Sequence, residues 1–189
     1  MNTVSRLDSA FIVIDVQDAF LAPVADKARI ISRTKFLIEN AKLLSVPILA
    51  TEQYASRMGV TTAEVLDALG PECQRFDKLC FSCAKSDPFR SALSGLRKPQ
   101  LVLGGIETHI CVAQTALDLH EAGWQVFVCA DAVGARSRLA HEIALARLAS
   151  AGCIITHTES VCYEWLSTAE SSEFKRALEI VKRYDESRD

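Results

Sequence analysis

Gln100-Leu101-Val102-Leu103-Gly104-Gly105-Ile106-Glu107-Thr108-His109-Ile110-Cys111-Val112 decides the fold of this chain. Its apolar run shows no polar alternation, as expected of a strand buried on both faces of a parallel sheet. Two glycines then permit a tight turn. The segment from Thr108 to Ala122 fits a helix that Gly123 closes. A buried strand feeding a glycine turn and a helix is half of a βαβ unit.

The same alternation extends outward on both sides. Ala10-Phe11-Ile12-Val13-Ile14 is a compact apolar run ending at Asp15, and it reads as the first strand. Ile30, Ile31, Leu37, Ile38, Ala41 and Leu44 fall at helical spacings and predict a helix over 26–44. Pro47-Ile48-Leu49-Ala50 is the second strand. Thr62 caps a short helix that runs to Leu69 and stops at Gly70-Pro71. A third strand covers 73–79 on a weaker pattern, and nothing regular is assigned between it and Gln100. Beyond Gly123 the sequence predicts a fifth strand over 124–130, a helix over 138–149 and a sixth strand, Cys153-Ile154-Ile155-Thr156. Helices over 158–166 and 171–184 finish the chain. The fold class is α/β: a three-layer α/β/α sandwich around a doubly wound, six-stranded, mostly parallel sheet of Rossmann-like type. No linker, repeat or low-complexity segment interrupts it, so residues 1–189 read as one domain.

Composition narrows the function. The chain has 189 residues, 49% hydrophobic and 24% charged, with a formal net charge of -3. That charge leaves no footprint for nucleic acid or an anionic membrane. No apolar run approaches the roughly 18 residues that span a bilayer. No basic segment leads into an apolar stretch of signal-peptide length, and a cytoplasmic location is expected. Seven cysteines are an odd number, and Cys111, Cys129 and Cys153 lie in or beside apolar segments. They read as reduced thiols rather than a disulfide framework.

In doubly wound sheets the ligand lies outside the carboxyl ends of the strands, near the point where strand order reverses. The rule selects Asp15 and Gln17, then Glu52-Gln53-Tyr54, then Lys78, then the stretch from Gly105 to Cys111. Alone, each has an ordinary explanation: Cys111 as a small buried residue, Asp15 as a turn or cap residue, Lys78 as a surface charge. Together they bring an acid, a cation and a thiol to one edge. At the start of a helix Cys111 is expected to favour its thiolate, and Lys78 to lower its pKa further. Asp15 could take the thiol proton and later activate water.

These residues resemble the isochorismatase-like cysteine hydrolase superfamily, which includes nicotinamidases and N-carbamoyl amide hydrolases. The resemblance runs from about residue 10 to residue 157. It rests on Ile14-Asp15-Val16-Gln17-Asp18-Ala19-Phe20, on Lys78, on the stretch from Gly104 to Val112 and on Ala130-Asp131-Ala132. It implies the sandwich described above and a catalytic triad of Asp15, Lys78 and Cys111. It also implies a cis peptide between Ile106 and Glu107, an oxyanion hole formed by the N–H groups of Glu107 and Cys111, and Phe20 packed against substrate. The implied chemistry is acyl transfer through a thioester, in a homo-oligomer.

The match to nicotinamidases breaks after strand two. There they carry an Asp-x-His metal pair, with a further His later, whereas this chain has Thr51-Glu52-Gln53-Tyr54. The four histidines, His109, His120, His141 and His157, are scattered, so neither a metal nor a cofactor is expected. His109 stands two residues from Cys111 and would not share its helix face. The segments around Gln53 and Lys78 look like the isochorismatase-domain subgroup whose substrates are poorly defined. Gln53, Tyr54, Phe81 and Ser82 are expected to line its pocket. Cys80-Phe81-Ser82-Cys83 is a C-x-x-C, which raises a zinc or redox reading; no second ligand pair has suitable spacing. The expected function is a metal-independent cysteine hydrolase of a C–N bond in a small molecule, with no nucleic-acid or membrane partner. A vinyl-ether hydrolase and a catalytically idle interaction protein are the alternatives.

Overall fold

Phe11 and Val13 point to one face of the first strand, and Ala10, Ile12 and Ile14 to the other. All are buried, so both faces need a helical layer. The computed structural model describes residues 3–185; the ends of the expected 1–189 domain, residues 1–2 and 186–189, lie outside the described residues. Its strands are β1 (Ser9–Ile14), β2 (Ile48–Gln53), β3 (Gln74–Lys78), β4 (Gln100–Ile106), β5 (Gln125–Gly134) and β6 (Ile154–Thr156). The helices are α1 (Asp18–Leu21), α2 (Lys27–Leu43), α3 (Ala55–Met58), α4 (Ala63–Leu69), α5 (Asp87–Leu96), α6 (Ala113–Glu121), α7 (Arg138–Ser150), α8 (Thr158–Leu166) and α9 (Phe174–Asp185).

The six strands form one sheet in the order β3-β2-β1-β4-β5-β6. Every pairing between them is parallel, so the expected mostly parallel sheet is wholly parallel. One core holds Phe11, Val13, Val102 and Phe127 under α2, α8 and α9, with Ile30, Leu37, Val161 and Trp165 packed in. The other holds Ile12, Ile14, Leu103 and Val128 under α5, α6 and α7, with Phe89, Leu93, Leu119 and Leu148. Each such side chain stabilises the fold by about 1.5–3 kcal/mol when fully buried. No described helix is long and apolar enough to cross a membrane.

Three expectations change. Helix α5 was not foreseen, although Pro88 sits in its first turn and Phe89 and Leu93 bury one face. Strand β5 runs on to Gly134, past a register shift between Leu103 and Gly105 of its neighbour β4. Thr62 stands at the N-cap of α4, yet its hydroxyl makes no cap bond; its N–H instead donates to the Val16 carbonyl at 2.8 Å. From β1 the chain steps to β2 and β3 on one side, while β4, β5 and β6 lie on the other. The reversal therefore opens a crevice between the carboxyl ends of β1 and β4.

Candidate active site

Asp15 is the first residue past β1, and its backbone is left-handed at φ 52°. Its N–H donates to Thr51 O at 3.1 Å, and its carbonyl accepts from Gln17 N–H at 2.8 Å. The carboxylate is 1% exposed. One oxygen accepts from Thr51 Oγ1 and the other from Lys78 Nζ, both at 2.7 Å. Lys78 ends the edge strand β3 and turns inward. Besides Asp15 its ammonium donates to Gln53 Oε1 at 2.7 Å and faces the carbonyls of Cys80 and Phe81 at 3.2 Å. Burial is the largest influence and opposes the ammonium, but Asp15 together with the Cys83 and Cys111 thiols outweighs it and the Lys78 pKa is raised. A buried pair of this kind needs both partners, because removing one strands a charge in the interior.

Gln53 ends β2 and is held on every side. Its N–H donates to Gln17 Oε1 at 2.6 Å, and Gln17 Nε2 returns a bond to its carbonyl at 3.1 Å. Its side-chain nitrogen donates to Leu79 O at 2.9 Å. That leaves Oε1 toward Lys78 and toward Cys111 Sγ, 4.0 Å away.

Cys111 arrives from β4 through a segment that only glycine allows. Gly105 lies at φ 125°, and a Cβ there would come within 2.0 Å of Ile14 O. The Ile106–Glu107 peptide is cis. Thr108–Val112 then form one π-type turn, with the N–H groups of Ile110 and Val112 both donating to Glu107 O, before α6 begins. Such turns recur at functional sites. Cys111 therefore stands inside a widened turn rather than at an ordinary α-helix start. It is 7% exposed. Burial is the largest influence on its thiol and raises the pKa; the Asp15 charge and hydrogen bond raise it further, against the lowering effect of Lys78. The expected resting thiolate is thus corrected to a protonated thiol beside a carboxylate.

These groups open into a cavity of about 370 Å³. Its polar lining is Asp15, Gln53, Glu107, Cys111 and Arg136, and its apolar walls include Phe20, Tyr54, Phe81, Ile106 and Ile110. Lys78 is not on the surface of the cavity but anchors Asp15 from behind. Ser82, expected to line the pocket, is 1% exposed and absent from the lining; its hydroxyl has no hydrogen-bond partner among the described residues. None of the four histidines reaches the cavity. Among the described residues no cluster of three or more His, Cys, Asp or Glu side chains could hold a metal. All seven cysteines are free. Met58, Leu79, Ile110 and Arg136 were missed as lining residues. For Arg136 the available signal was its place just after a strand end, since β5 runs farther than its apolar run suggests.

The isochorismatase domain, as a family model, matches residues 9–160, and the chain belongs to that family of hydrolases. It is 35% identical to the secreted isochorismatase effector Isc1 of Phytophthora sojae, over 93% of this chain and 85% of that protein. Isochorismatase domain-containing protein 1 of Danio rerio is also 35% identical over 96% of this chain, which spans only 64% of that relative's length. Among solved structures, the MAR1 ribonuclease of Caenorhabditis elegans superposes with a TM-score of 0.90 at 31% identity, covering 95% of this chain and 92% of its own. The YcaC gene product of Escherichia coli, an octameric hydrolase of unknown specificity, shares the fold with a TM-score of 0.85 at 22% identity; 97% of each chain is covered.

Proposed function

We propose that the protein hydrolyses a C–N bond of a small amide or carbamoyl compound through a thioester at Cys111. The observation that carries this reading is the buried Asp15 carboxylate, paired with Lys78 at 2.7 Å and near enough to the Cys111 thiol at the edge of the cavity to raise its pKa. A thiol this buried needs a base beside it, and Asp15 is in place. Asp15 takes the thiol proton as sulfur attacks the carbonyl carbon. The N–H groups of Glu107 and Cys111 stabilise the oxyanion. The C–N bond breaks, with the proton passing from Asp15 to the leaving nitrogen. Water, deprotonated by Asp15, then cleaves the thioester, and the proton returns to sulfur as the acid departs. Lys78 holds the Asp15 carboxylate in position, while Phe20, Gln53, Tyr54 and Phe81 shape the pocket.

The name of the nematode neighbour belongs to that protein. Here a net charge of -3 and a compact, largely apolar cavity favour a small amide over a polyanion. Incubating the protein with a panel of small primary amides and N-carbamoyl compounds should release amine or ammonia, and mass spectrometry of the quenched protein should find an acyl adduct on Cys111. Cys111→Ala should lose all turnover. Equal turnover by wild type and Cys111→Ala would overturn the reading. Vinyl-ether cleavage surviving in that variant would replace it with the other hydrolase reading, and no turnover anywhere would leave the idle one.

The mouth of the cavity is ringed by exposed apolar residues, namely Tyr54, Met58, Leu79 and Phe81. Patches of this kind are normally covered, and we propose that a second copy of the chain covers this one. Light scattering should return a multiple of the 20.7 kDa chain mass; a monomer at micromolar concentration would contradict it.

A further inference from the structure

We propose that Arg136 anchors an anionic group, so that the substrate is an amide that also carries a carboxylate. This deepens the reading of Cys111 as the nucleophile and rests on it for where the scissile carbonyl lies.

The argument begins with charge. Asp15 is neutralised by Lys78, whose ammonium already faces four oxygen acceptors and has nothing left for a ligand. Glu107, 8% exposed, already accepts at Oε2 from the backbone N–H of Arg136 at 2.9 Å. That bond fixes the start of the segment leading into α7, where Ser137 Oγ accepts from Ala140 N–H. The Arg136 guanidinium lies 3.6 Å from Glu107 Oε1, too far for a hydrogen bond, and its side chain is 59% exposed. Among the described residues it donates to no acceptor. The result is a cation on the cavity wall, ion-paired with Glu107 but with its hydrogen-bond donors free, in a lining shared with Phe20, Tyr54 and Ile110.

A ligand carboxylate in such a cavity needs a cation, since burying it unpaired against apolar walls is prohibitive. The planar guanidinium fork matches a carboxylate with two parallel hydrogen bonds. A cavity of about 370 Å³ sits at the small end of ligand pockets, so carbonyl and carboxylate must belong to one compact molecule.

The test compares succinamate with succinamide, which differ only in exchanging a carboxylate for an amide. Ligand-detected NMR titrations use the full chain carrying Cys111→Ala, which prevents turnover during the measurement. Succinamate should bind at least about tenfold more tightly. Adding Arg136→Gln should reduce that preference below about twofold, and Arg136→Lys should keep part of it. Equal binding of the two probes, no succinamate binding, or an unchanged preference in Arg136→Gln would overturn the assignment. Because binding is read without Cys111, loss of the hydrolase reading and loss of the anion anchor give different results. Turnover by the wild-type chain tests the first, and the probe preference tests the second.

Discussion

At Cys111 the sign of the pKa shift selects the mechanism. A thiol lowered by Lys78 alone would rest as thiolate and react at once with any alkylator. Burial and the Asp15 carboxylate instead hold it up, which in the proposed mechanism couples ionisation to the arrival of substrate. Asp15→Asn separates the two ideas. It removes a negative charge and a hydrogen bond that raise the thiol, and leaves the Lys78 ammonium unopposed. Iodoacetamide should then modify Cys111 several-fold faster at pH 7.5, while turnover falls about 10²–10⁴-fold with the loss of the base. In the wild type the alkylation rate should keep rising with pH up to and beyond pH 9. A wild-type plateau below pH 8 would mean that the thiolate exists at rest and that Asp15 does not hold the proton back. Asp15, Lys78 and Cys111 were legible because each follows a strand end or a motif. The protonation state was not, because its sign depends on burial and on which carboxylate oxygen faces which donor. Ser82 and Arg136 mark the same boundary. A hydroxyl turned into the protein leaves no trace in residue type or spacing, and Arg136 is marked only by its place after a strand whose end its apolar run conceals.

At the level of elements, readability followed how much of each segment is buried. β1 and β4 are buried throughout and announce themselves as apolar runs. β3 lies at the sheet edge, exposes Gln74, Arg75 and Asp77, and carries its one decisive residue, Lys78, at the inner end. That explains its weak pattern. Helix α5 was missed for another reason: Gly95 and the polar residues 90–91 dilute a stripe carried by Phe89 and Leu93. The Gly104-Gly105 turn was legible as a turn, but not as a point of backbone contact. Two glycines make that difference measurable. Gly105 and Gly123 both have left-handed φ, yet a Cβ at Gly123 meets open space while one at Gly105 meets Ile14 O and C. Gly123→Ala should cost only the conformational strain, about 1 kcal/mol. Gly105→Ala should cost at least about 3 kcal/mol, because the ends of β1 and β4 must move apart. Guanidinium titrations followed by circular dichroism give both values; similar losses would show that φ, not contact with β1, sets the requirement. The same separation would shift Asp15 relative to Cys111, so any folded Gly105→Ala protein should be nearly inactive.

For the molecule as a whole, the wholly parallel sheet with helices on both faces leaves little interior that is not apolar, and thiols take up part of it. Burial is the main cause that raises Cys73, Cys83, Cys111, Cys129, Cys153 and Cys162. The count and apolar setting of the cysteines were visible in the sequence, but their joint effect on stability depends on how deeply the fold buries them. A thiol whose folded pKa is raised stays protonated in the native state while the unfolded chain ionises. Its contribution is therefore complete below the ordinary value near 9 and is lost as pH climbs toward the folded value. Each thiol removes up to about 1.4 kcal/mol per pH unit over that window. Cys83 is pushed up to about 11 and Cys162 to about 12. Stability should thus fall steadily as pH rises from 9 toward 11. Cys162 tests the claim away from the Asp15–Cys111 cavity, packed between α8 and α2, where its thiol meets Asn40 Oδ1 at 3.2 Å. At pH 8 Cys162→Ala should be less stable than wild type by about 1–2 kcal/mol, from lost packing and one hydrogen bond. Between pH 9 and pH 11 the wild type alone carries the penalty of this thiol, about 2.7 kcal/mol at the upper end, so the deficit should shrink and then reverse. Urea titrations at half-unit pH steps would show the two curves crossing near pH 10. A deficit that stays constant from pH 8 to pH 11 would mean that the folded chain ionises Cys162 as readily as the unfolded one, and that its burial does not control its proton.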